Sequence, residues 1–138
     1  QSRSSAASDV YKRQGKDYPL SFDRKEMKDH GEGGNIIGNN PSGDVMIIDD
    51  VLSAGTAARE SIELINNIGA VPKVFIVGLN RQEKGSGDLS ASDELQKEFG
   101  ITVKSIVDLN TLISFSEDNP DFEEYLGELK SYRENWGA

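Results

Sequence analysis

The chain has 138 residues, a hydrophobic share of 36%, a charged share of 28% and a formal net charge of −9, which suits one domain with a modest core. The acidic balance argues against a nucleic-acid-binding face, which would be basic, and against an anionic membrane surface. The sequence has no cysteine, which excludes a disulfide scaffold and thiolate metal sites and leaves the cytosol as the default compartment.

Residues 1–14 are rich in Ser and carry one strongly apolar aliphatic residue, Val10. They read as a disordered tail or a cloning or sequencing junction, with a basic targeting arm as the other reading. The apolar segment of a signal peptide is absent there, and no apolar run anywhere nears the ~20 residues that span a bilayer. Residues 15–138 read as the structured part. Residues 15–44 are mostly loop, with a short strand over 17–22 that Pro19 confines to an edge. Within Arg24–His30 lie Arg24, Lys25, Lys28 and the chain's single His, followed by Gly31, Gly33 and Gly34. A cationic stretch beside glycines suits a mobile lid, and a solvated surface loop is the plainer alternative. Ile36 replaces the third glycine of a dinucleotide fingerprint, and no G-x-x-x-x-G-K-[ST] pattern is present, so both of those nucleotide sites are rejected.

Val45–Ile48 is an apolar run fit for a buried parallel strand over about 44–49. Asp49 and Asp50 follow where that strand would end. Ser53-Ala54-Gly55-Thr56-Ala57 then leads into a helix over 56–68, with Ala58, Ile62, Ile65 and Ile68 on one stripe and Gly69 beyond its end. Small residues at a helix N-terminus cradle a phosphate with backbone N–H groups. Acids beside such a cradle need another partner on the same ligand, such as sugar hydroxyls or a bridging Mg²⁺.

Lys73–Leu79 is a second buried strand, and Arg81 stands just past it. Strand C-terminal ends host ligands in open α/β sheets, so Arg81 is a candidate for holding a carboxylate or phosphate. A rim ion pair with a neighbouring acid is the other reading. A short helix over 90–99 ends at Gly100. The strand over 101–107 alternates as an edge does. Asp108 caps a helix over 109–116, and Asn119-Pro120 starts the last one. Phe122, Tyr125, Leu126, Leu129, Tyr132 and Trp136 share one face of that helix and read as core or subunit contact. Strands alternating with helices imply a parallel sheet with right-handed crossovers. Three strands are few for such a sheet, so the sequence reads as the C-terminal part of a larger domain.

Val45–Ala57 resembles the phosphoribosyl pyrophosphate (PRPP) motif of type I phosphoribosyltransferases. Arg24–Gly33 is similar to the flexible catalytic loop of the orotate phosphoribosyltransferases, and Asn80–Gly85 is similar to their orotate-contacting loop. The resemblance runs from about Asp17 to Ala138. It implies an α/β fold, a Rossmann-like parallel sheet flanked by helices and truncated at its N-terminus. It also implies a reaction, in which orotate displaces pyrophosphate from C1 of PRPP to give orotidine 5′-monophosphate, with Mg²⁺ accompanying the pyrophosphate and no direct protein ligand to the metal.

Carried onto these residues, the resemblance makes Lys28 the main catalytic lysine, with Arg24, Lys25 and His30 on the same loop. Asp49 and Asp50 hold ribose hydroxyls. Val51, Leu52, Ser53, Ala54, Gly55, Thr56 and Ala57 bind PRPP, and Arg81 and Ser53 contact orotate. A homodimer whose loops reach into the neighbouring subunit's site is the implied assembly. A purine phosphoribosyltransferase and a non-catalytic PRPP- or nucleotide-sensing regulator of the same fold are the alternatives.

Overall fold

The structure is a computed structural model that describes residues 15, 18–23 and 36–138. The tail 1–14 and the cationic stretch with Arg24, Lys25, Lys28 and His30 lie outside the described residues. The chain divides into two units, 1–42 and 43–138. In the first, β1 (Ser21–Asp23) pairs antiparallel with β2 (Ile36–Gly38), Phe22 opposite Ile37. The strand expected over 17–22 thus forms after Pro19. Its partner is unanticipated, because three residues beside a glycine cluster carry too little pattern to read as a strand.

The second unit runs β3 (Asp44–Leu52), α1 (Thr56–Asn67), β4 (Val71–Asn80), α2 (Ala91–Phe99), β5 (Thr102–Asp108), α3 (Leu109–Asp118), a 3₁₀ turn (Pro120–Phe122) and α4 (Glu123–Trp136). The sheet order is β3-β4-β5, all parallel. In register, Ile47 lies opposite Phe75 and Phe75 opposite Val103. Phe75, Val77 and Val103 pack with Ala58 and Ile62 of α1 and with Ala91 and Leu95 of α2 into one apolar cluster. Phe75 and Val77 are almost fully buried, which accounts for the unbroken apolar run in β4.

The other sheet face is open among the described residues. Met46, Ile48 and Ile106 are exposed and Val45 and Ile47 are half-buried, so the burial expected for all of Val45–Ile48 is met only in part and on alternate residues. A fully apolar run looks alike whether one face is covered or two.

The caps of α2 and α3 fall as the sequence expects. Ser90 accepts from Asp93 N–H ahead of α2, and Gly100 ends that helix with φ of 65°. Asp108 Oδ1 accepts from Thr111 N–H at 2.8 Å ahead of α3. Asn119 differs from the expectation: it caps the 3₁₀ turn, and α4 starts only at Glu123, with no side-chain cap. The aromatic stripe of α4 differs from the core reading. No residue of α4 is buried, and Phe115, Phe122 and Tyr125 form an exposed ring cluster with centroids 5.3 and 6.5 Å apart. Aromatic residues at helical spacing signal a face but not what covers it. No helix among the described residues is long and apolar enough to cross a membrane.

Candidate functional site

The parallel register brings three strand ends to one sheet edge. Leu52 is opposite Asn80, Asn80 is opposite Asp108, and Arg81 N–H donates to Leu52 O at 2.9 Å. The segments that leave β3 and β4 therefore start side by side, at the edge where open α/β sheets bind ligands.

β3 continues three residues beyond the expected end at Asp49. Both acids therefore lie inside the strand, where successive side chains take opposite faces. Ile47 packs against the core, so Asp49 shares its face and Asp50 takes the other. The burial pattern agrees, with Asp49 half-buried and Asp50 exposed. Asp49 Oδ1 accepts from Asp50 N–H at 2.9 Å, which turns one carboxylate oxygen back onto the strand. Beside Asp50 a close approach requires glycine. A Cβ on Gly78 would come within 2.9 Å of Asp50 O, a need that a lone Gly in an apolar run hints at.

The turn Ser53–Gly55 brings the chain into α1. Gly55 takes φ of 89° ahead of the helix, and no side chain caps it. The orphan N–H groups of the first turn are therefore not taken up by a capping side chain. Val51, Leu52, Ser53, Gly55, Thr56, Ala57 and Ala58 line an open cleft of about 220 Å³ at this turn. Six of these seven were expected in the PRPP cradle. Asp49, Asp50 and Ala54 do not line the cleft, and neither does Arg81.

Arg59 anchors this helix by donating to Glu94 Oε2 at 2.8 Å and pairing with Glu98. Glu94 also accepts from Ser86 N–H at 2.9 Å and Gly87 N–H at 2.7 Å. Those N–H donors, opposed by burial and aided by the Ser86 hydroxyl and Arg59, hold the Glu94 carboxyl below the usual carboxylate range. One carboxylate on α2 thus ties the cradle helix to the segment after Arg81. Nothing in the sequence marks it, since Glu on an amphipathic helix reads as solvated surface.

Arg81 is engaged locally. It ion-pairs with Glu83 at 3.7 Å, donates to the Tyr132 hydroxyl at 3.3 Å and lies 6.0 Å from that ring's centroid. The neighbouring-acid pairing left open by the sequence is present, with the Arg81 side chain still 45% exposed. The Tyr132 hydroxyl in turn donates to Glu83. The Tyr132 hydroxyl, more than Glu83, pushes the guanidinium pKa above its ordinary value. Burial, then the bond to Glu83, pushes the Tyr132 phenol up against the opposing effect of Arg81.

Among the described residues no group of three or more His, Cys, Asp or Glu could hold a metal ion by itself. Asp49 and Asp50 carry hard oxygens of the kind that suits Mg²⁺, but on opposite faces of β3 they do not form one shared cation site.

No family model matches the chain. It is 50% identical over 124 residues to an orotate phosphoribosyltransferase from Marinobacter nauticus, which covers 90% of this chain and 58% of the relative. It is 44% identical over 129 residues to one from Actinobacillus succinogenes, covering 94% and 60%. The crystal structure of orotate phosphoribosyltransferase from Francisella tularensis superposes with a TM-score of 0.75 at 31% identity, covering 97% of this chain and 64% of that one. The chain spans about three-fifths of the length of the curated relatives it matches. Over nine-tenths of its own length, the chain is a homologue of the orotate phosphoribosyltransferases and has their fold, a parallel sheet flanked by helices.

Proposed function

We propose that the protein transfers the ribose 5-phosphate of PRPP to orotate, giving orotidine 5′-monophosphate and pyrophosphate. The bond from C1 to the pyrophosphate oxygen breaks, a bond from orotate nitrogen to C1 forms, and the nitrogen gives up its proton. The observation that carries the reading is the cleft at the uncapped start of α1 on the sheet edge shared with Arg81. The named relatives are its second support.

In this reading the 5-phosphate accepts from N–H groups at Gly55–Ala57 and from the Ser53 and Thr56 hydroxyls, where the helix end favours an anion. Asp49 and Asp50 accept from ribose hydroxyls. Their opposite directions on β3 make the roles unequal, because one oxygen of Asp49 is already committed to Asp50 N–H. Arg81 pairs with the orotate carboxylate, a match for a guanidinium fork, and Ser53 is a second orotate contact. Arg24, Lys25, Lys28 and His30 supply cations to the departing pyrophosphate and exclude water. Mg²⁺, when bound through PRPP, neutralises charge on the leaving group.

A cytoplasmic homodimer belongs to the same reading. The exposed rings of Phe115, Phe122 and Tyr125 support a contact surface. No observation favours the purine enzyme or the regulator.

The test is loss of orotate absorbance with PRPP and Mg²⁺, in a chain carrying these residues at the relatives' full length. Turnover of orotate is the expected result. Turnover of a purine base without turnover of orotate overturns the reading.

A further inference from the structure

The segment that carries Arg81 is held from three sides. Gln82 has φ of 54°, and among the described residues it is the one non-glycine residue with positive φ. Its N–H donates to Asn80 Oδ1 at 2.9 Å, and its side-chain oxygen accepts from Asn110 N–H at 2.9 Å, in the first turn of α3. Its carbonyl accepts from Ala138 N–H at 3.1 Å. Lys84 N–H donates to Trp136 O at 2.9 Å, and Glu83 bridges to Gly137 in antiparallel fashion. From α4 itself, Tyr132 reaches both Arg81 and Glu83. A left-handed backbone at a side chain as long as glutamine persists only where its surroundings over-determine it, and such positions gather at binding sites.

We infer that Gln82 and Tyr132 are positioning residues. The segment after α4 holds the Gln82 carbonyl and the start of α3 holds its side-chain oxygen, so that the Arg81 guanidinium is aimed at a ligand carboxylate before the ligand arrives. The inference rests on the base-binding role proposed for Arg81. Tyr132 is suited to aiming. Its oxygen accepts from Arg81 while its proton goes to Glu83, so the phenol fixes the guanidinium without removing its charge. Glu83 balances the cation while the site is empty and stays 13% exposed beneath it. Pre-fixing the fork lowers the ordering cost of a two-bond contact, and specificity for a carboxylate follows.

The test compares two nucleotides that differ only in that carboxylate, orotidine 5′-monophosphate and uridine 5′-monophosphate. Binding to a chain carrying these residues at the relatives' full length is followed by NMR at the amides of Ser53–Ala57, and order at Arg81 is followed by its guanidinium N–H signals without ligand. In wild type the guanidinium signals are sharp, and the orotidine nucleotide binds more tightly, by about tenfold or more for a charge-assisted pair. Tyr132→Phe removes only the phenol oxygen. Gln82→Gly keeps the left-handed backbone but loses the bond to Asn110. Each is expected to broaden the Arg81 signals and bring the affinity ratio towards one, with uridine 5′-monophosphate binding unchanged.

Sharp Arg81 signals and an unchanged ratio in both variants overturn the inference. Equal weakening of both nucleotides also overturns it, because the effect then lies in the fold. Wild-type amides that respond to neither nucleotide count against the proposed function instead, and the ligand-free guanidinium signals still decide the positioning claim.

Discussion

At Gly55 two constraints meet in one residue. Its φ of 89° lies in the left-handed region, which costs an L-residue with a side chain about 1–2 kcal/mol. A Cβ there would also stand 3.3 Å from Ala91 Cβ at the start of α2. Gly55→Ala therefore has to lift the turn off α2 or rotate it, and either movement re-aims the N–H groups of the first helical turn. The expected result is a loss of about 1–2 kcal/mol in denaturant unfolding with a larger proportional loss in PRPP affinity. Calorimetric titration that found full affinity in the variant would show that the cradle does not need this backbone geometry. The motif pattern gave the residue's identity, and small residues at a helix start are readable from sequence. Its contact with Ala91 is not readable, because it joins residues 36 positions apart in the sequence.

Elements that carry their own local signals were legible. The apolar runs gave β3 and β4, the caps Ser90 and Asp108 gave α2 and α3, and Gly100 marked a helix end. What joins the elements was not legible. Arg59 of α1 and Glu94 of α2 meet through tertiary packing alone, and Glu94 also accepts from the 86–87 backbone. That joint has a pH signature. The Glu94 carboxyl is held below the usual carboxylate range in the folded chain, whereas an unfolded Glu titrates near about 4.3. Its contribution is therefore fully present above about pH 4.3 and is lost as pH falls through the lowered native value. Glu94→Gln should unfold at lower urea than wild type at pH 7, with the gap closing as the pH falls below about 4. A gap that stays constant from pH 7 to pH 3 would place the variant's effect in packing and not in the charge.

For the whole molecule, the balance lies between a net charge of −9 and a sheet face that is uncovered among the described residues. Charge of one sign keeps chains apart at long range, but salt screens it over about 8 Å at physiological strength. The open face puts Ile48 at 55% exposure and Ile106 at 80%, with Met46 at 47%. Parallel sheets are ordinarily covered on both faces. In addition, β3 pairs with β4 alone among the described residues, which leaves a nine-residue strand edge as a template for further pairing. At working salt the short-range apolar contact should win, so the 138-residue chain should self-associate as its concentration rises. Ile48→Lys together with Ile106→Lys places charge at the two most exposed large apolar residues of this face. Neither side chain belongs to the buried core, so stability should change little, while sedimentation velocity should show the sedimentation coefficient returning to that of a monomer. If association persists in the double variant but disappears when Phe115 and Tyr125 are replaced by Ser, the exposed rings beside α4 are the contact and the sheet face is not. The two surfaces therefore give opposite results in one pair of variants, and the −9 charge adds a third reading, since self-association that strengthens steeply with salt marks repulsion as the force being overcome.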